Sequence, residues 1–372
     1  MSDNVIALFR RPSTNHRPLG ALLQSFSNNR RDNCDVFWLK ENAEVLSTLQ
    51  NQKADISSTD IDCYSDFYAS LADRIAFFPQ YYRFFISIAA DLEAIGMAGQ
   101  EAERLCHFAH HNNLAHAELS DLQRAEATAL LARRDITLDT TPSLHQRLVG
   151  FIEHSPSFAL PNRKIAYELT HIVIYLSEYG ARDPKLSPAA IQSLMFTGIL
   201  AHLEQNMDLL AEVCVALRFS KQTPPKAWEE SILSLARSFK LVPNDPGHGD
   251  QYHEYLVVNW ACSLMGGDAF SGGYTANGTG FYATTEPGNA LRDVSHALFS
   301  WTGARSARWD LMEPQLFDAL PAASSDHLRD VVRATSEFGA FFEHFVRAPN
   351  AVVPRVERRV EQSDVALQER QR

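Results

Sequence analysis

The sequence predicts an all-α fold, a multi-helix array that is either a toroid of helix pairs or an irregular helical globule, with a small glycine-rich hairpin or lid. Three observations carry this expectation. Apolar residues recur at helical spacing through most of the 372 residues. Polar or proline start signals and glycine stops bracket these runs. Only residues 266 to 288 break the pattern, holding seven glycines among Phe270, Tyr274, Phe281 and Tyr282.

In chain order, residues 1 to 18 read as an extended arm, and residues 19 to 353 as a single helical domain. Leu19 to Arg31 and Val36 to Leu49 have helical apolar spacing, the second through Val36, Leu39, Ala43 and Leu46. Pro79 opens an aromatic-rich helix in which Tyr82, Phe85, Ile88 and Leu92 form one apolar row and Gly96 is the stop. Ser120 with Gln123 reads as a capping box for a helix to Arg134, with Glu126 on its exposed side. A polar stretch near 135 to 142 is the candidate subdomain boundary.

Next comes PNRKIAYELTHIVIYLSEYG, residues 161 to 180, around which the chain is organised. Asn162 and Gly180 bracket a helix with Ile165, Leu169, Ile172, Val173 and Leu176 on one broad side. Glu168, His171, Tyr175 and Glu178 form a narrow polar stripe opposite. Ser187-Pro188 starts one long helix to Phe219, Thr223-Pro224-Pro225 another to Lys240, and Asp250 a third to Leu264. Asn277-Gly278 is a hairpin-turn dipeptide inside the glycine-rich segment. Helices resume at Asn289 and end at Phe345, and residues 354 to 372 read as a charged, disordered tail.

Composition narrows the function classes. A formal charge of -11 argues against a nucleic-acid partner. Five scattered cysteines with no CxxC pair suit a reducing compartment, no secretory leader is legible, and no apolar run reaches the roughly 20 residues of a membrane span. A cytoplasmic location is the expectation.

The chemistry-bearing pattern is a carboxylate three residues before a histidine. It occurs as Glu168/His171, Asp250/His253, Asp293/His296 and Asp245/His248. Chance alone supplies about 1.7 such pairs from 45 acids and 14 histidines. In each helical pair the acid is placed to orient the imidazole, or both to bind one metal. His253 shares its face with Val257, Trp260 and Leu264, which implies burial. The helix to Phe219 adds His202 with Asn206, and the like-charged pair Asp208 and Glu212, which a cation or proton would stabilise. If these helices pack together, His202, Asp208, Glu212, His253 and His296 form a carboxylate and imidazole metal site suited to iron, manganese or zinc. Glu168, His171, Tyr175 and Glu178 are the candidate catalytic groups, general acid/base work by His171 or Glu178 being the metal-free version. No dinucleotide, P-loop or hydrolase-elbow motif stands in a supporting context.

Four blocks, YELTHIVIYLSEYG from Tyr167, NMDLLAEVCVALRF from Asn206, VFWLKENAE from Val36 and FFPQYYRF from Phe77, resemble an uncharacterised bacterial family of about this length. That resemblance implies a cytoplasmic helical protein and carries no catalytic residues. Two functions follow as expectations. One is a helical enzyme or small-molecule-binding protein with an interior site, possible metal dependence and residues 266 to 288 as its lid. The other is a non-catalytic scaffold for a protein partner, with Phe77, Phe78, Tyr81 and Tyr82 exposed. Aromatic surface in the first half allows a homodimer.

Overall fold

The structure, a computed structural model, describes residues 18–139, 141–243, 249–283 and 289–348. The charged tail lies outside the described residues, as does the arm except for Pro18, which already begins the helix Pro18–Gln24. Among the described residues there are eighteen α-helices and one two-stranded sheet, arranged as an irregular globule. None of these helices is long and apolar enough to cross a membrane.

Seven helices position the candidate site. They are α1 (Val36–Asn51), α2 (Tyr82–Ile95), α3 (Asp121–Ala132), α4 (Arg163–Leu176), α5 (Pro188–Glu204), α6 (Met207–Phe219) and α7 (Tyr252–Leu264). Local chemistry sets their starts. Asp35 accepts from the Phe37 amide, Ser120 from Gln123, Asn162 from Ile165 and Ser187 from Ala190, each satisfying an amide that the first helical turn leaves free.

Two helix ends depart from the sequence reading, and both matter. Residues 187 to 219 are two helices, not one: Gln205 turns left-handed with φ 54°, and Asn206 caps the new start by accepting from the Leu209 amide. An asparagine expected to line a helix face with His202 is instead the cap that ends the row. The stripe helix, in turn, stops at Leu176, because Glu178, Tyr179 and Gly180 all take positive φ, at 49°, 55° and 85°. Glu178 is thereby turned out to solvent beside Arg182, with 3.3 Å between Oε1 and Nη1.

The apolar interior forms two clusters. One is built from residues 22 to 138 with Tyr255, Leu256, Phe270 and Phe281. The other takes Ala125 and residues 144 to 346, including Val257, Val258 and Trp260. Helix α7 therefore feeds both cores, and α3 does the same through Ala125 on one side and Leu130 on the other.

The glycine-rich segment supplies strand β2 (Thr279–Tyr282). Its partner is the distant strand β1 (Lys240–Pro243), paired antiparallel with Leu241 opposite Phe281, rather than a strand across the Asn277-Gly278 turn. Residues 284 to 288 lie outside the described residues. Arg30 ties this sheet to the first core. Its buried guanidinium bonds Glu41, both carboxylate oxygens of Asp250 and the Thr279 carbonyl, and lies over the Phe26, Tyr252 and Phe281 rings.

Candidate functional site

A cavity of about 330 Å³ lies where the two cores meet. Six helices wall it at helical spacing: α1 with Lys40, Ala43, Glu44, Ser47 and Thr48, α2 with Arg83, Phe84 and Ser87, and α3 with Leu122, Gln123 and Glu126. Across from these stand His171, Ile174 and Tyr175 of α4, Glu212 of α6, and His253, Leu256, Val257 and Trp260 of α7, with Tyr179 just beyond α4.

At one end, two imidazole and carboxylate pairs face each other. His253 Nδ1 is 2.7 Å from Asp208 Oδ1, and His171 Nε2 is 3.6 Å from Glu212 Oε1. The outer oxygens are anchored from α4, where the Tyr167 hydroxyl donates to Asp208 Oδ2 at 2.8 Å and the Thr170 hydroxyl donates to Glu212 Oε2 at 2.5 Å. Each acid is thus held by one oxygen and offers the other to an imidazole. Asp208 and Glu212 reach the site together because they are four apart on α6. One ligand atom from each of Asp208, Glu212 and His253 lies within 4.8 Å of the other two.

Electrostatics follow from this crowding. Burial opposes charging of His253, but the Asp208 hydrogen bond and charge, with Glu44 and Glu212 beyond, outweigh it and raise its pKa to about 9. Burial works against Asp208 ionisation too, yet His253 and Tyr167 hold its pKa below the usual carboxylate value. For His171, burial is again overcome, by Glu212 chiefly, and its pKa rises. Its side chain keeps 37% exposure and lines the cavity. Glu44 and Glu126 are pushed up by desolvation, with His253 and Arg83 respectively opposing the shift.

The sequence-predicted residues divide cleanly. Asp208, Glu212, His253 and His171 come together, and Tyr175 lines the cavity with its ring 6.1 Å from that of His171. Glu168 is half-buried and does not line it, and Glu178 is on the surface. His202 sits on α5, buried against His327, and the break at Gln205 separates it from Asp208 and Glu212 on α6. His296 is exposed in a separate, open groove with Asp293. The expected partner acids also change. Asp250 binds Arg30 and the Phe281 amide rather than His253, and Asp293 accepts from Ser324. Glu126 faces the cavity and Arg83 rather than solvent.

Sequence reasoning missed Glu44, Arg83, Glu126 and Trp260 as lining groups. A signal existed in α1, where Lys40, Glu44, Ser47 and Thr48 recur at spacings of three and four on one side of the helix. The described part of the glycine-rich segment does not cover this cavity. It lines a different pocket of about 310 Å³, through Gly267, Asp268, Ser271 and Gly272.

Compared with known proteins, the family described as "Domain of unknown function (DUF6902)" matches residues 2–348. No curated protein and no solved structure matches the chain.

Proposed function

The chain belongs to this family of unknown function, and from its interior we propose a metal-dependent enzyme or small-molecule-binding protein. The observation that carries the reading is the convergence of Asp208, Glu212 and His253, from two helices, at the end of a cavity large enough for a small molecule. Two carboxylates and an imidazole, with His171 beside Glu212 as the fourth donor, suit a divalent iron, manganese or zinc ion. Tyr167 and Thr170 fix the carboxylates from behind, the role that outer hydrogen bonds play around metal ligands. A bound ion would act as a Lewis acid on a ligand entering from the cavity side.

Titrating purified protein with Mn²⁺, Fe²⁺ or Zn²⁺, together with elemental analysis, tests this. Roughly one ion per chain is expected, with affinity lost in His253→Ala and reduced about 10- to 100-fold in Tyr167→Phe. Sub-stoichiometric metal unchanged by His253→Ala sinks the reading.

The metal-free version keeps proton transfer at His171 and, with Glu178 on the surface, gives the second role to His253 instead, the two imidazoles oriented by Glu212 and Asp208. It draws on the 2.7 Å bond between His253 and Asp208. The scaffold reading draws on Phe77 and Phe78, 77% and 41% exposed, although Tyr81 is half-buried and Tyr82 is packed in the core. All five cysteines are free, which fits a cytoplasmic setting.

A further inference from the structure

The wall of the cavity built by α1, α2 and α3 has a charge pattern of its own. Arg83 is engaged by two acids, donating to Glu118 through Nε at 2.9 Å and to Glu126 through Nη1. Its guanidinium is thus committed to carboxylates rather than free for an anionic ligand. Lys40 is half exposed and stands 3.7 Å from Glu44. The other neighbours of Glu44 are the Tyr252 hydroxyl at 3.1 Å and His253 Nε2 at 3.9 Å. Tyr175 and Trp260 line the same cavity, and aromatic rings of this kind attract cations.

We infer that the cavity takes a small organic cation, an aromatic-sized primary amine or ammonium compound, with its charge toward Glu44 and Glu126 and its body against Tyr175 and Trp260. This rests on reading the cavity as a small-molecule site, but not on metal binding. An anion finds the cations of this cavity already paired, Arg83 with Glu118 and Glu126, Lys40 with Glu44 and His253 with Asp208. A neutral molecule of the same shape gains the aromatic contact and forgoes the ionic one.

Calorimetric titration of the full chain with benzylamine, benzyl alcohol and benzoate, three probes of one shape and three charges, tests it. Each is run first with chelator and then with Mn²⁺, so that failure of the metal reading and failure of the amine reading are seen separately. Benzylamine is expected to bind at least about 10-fold more tightly than benzyl alcohol, with benzoate weakest. Glu44→Gln should narrow the preference for amine over alcohol, while Tyr175→Leu should weaken both. Equal binding of amine and alcohol, tighter binding of benzoate, or binding of none of the three overturns the inference. Far-ultraviolet circular dichroism of both variants confirms that they fold.

Discussion

His202 illustrates what a single buried imidazole does to stability. It is 8% exposed, its Nδ1 has no partner, and its carbonyl accepts from His327 Nε2 at 2.8 Å. Burial, reinforced by His327, lowers its pKa from 6.5 to about 4. The folded chain therefore resists a proton that the unfolded chain accepts. Stability tied to His202 is complete above about pH 6.5, falls as the pH drops toward 4, and is level below that. The full effect is about 3 kcal/mol. Urea unfolding at pH 7 and pH 4.5 should show wild type losing more stability than His202→Gln, and identical losses would remove His202 as the cause. At this scale the sequence was partly legible. The apolar row of Val257 and Trp260 correctly put His253 on an inward face. The i,i+3 acids did not name the true partners, since Asp208 and Glu212 approach across helix boundaries that spacing within one helix cannot reveal.

Helices as elements were legible wherever a cap residue preceded an apolar run, as at Ser120, Asn162 and Ser187. What spacing alone concealed was the break at Gln205. The residues on both sides keep helical periodicity, and the left-handed turn falls on a glutamine rather than a glycine. This break lets α6 run back against α4 and α7 and carry Asp208 and Glu212 to the cavity end. Packing on the other side of α5 depends on a missing side chain. A Cβ at Gly198 would come within 2.2 Å of Trp228 Cη2, and Trp228 is fully buried. Gly198→Ala should cost about 1–3 kcal/mol through overpacking, against the usual gain of an alanine in a helix interior. A thermal melt with no loss would mean that Trp228 shifts freely.

For the whole molecule, length and composition foretold a large helical core but not that it divides in two, because which apolar faces meet is decided by tertiary packing. Two helices, α3 and α7, contribute to both clusters, so the halves share elements rather than merely touching. The cavity occupies that shared boundary, with Ala43 and Leu256 from one cluster and Ile174, Val257 and Trp260 from the other. An occupant therefore acts as a thermodynamic cross-link. It binds only when both halves are folded and in register, and at 100 times its dissociation constant it adds about 2.7 kcal/mol to their joint stability. A library of small molecules and divalent ions can be ranked by the rise in melting temperature alone, and a true occupant should lose part of its effect in the variant that removes its own anchor, His253→Ala for an ion and Glu44→Gln for an amine. The protein's own unfolding is then the assay, and the chemistry need not be known before its ligand is found.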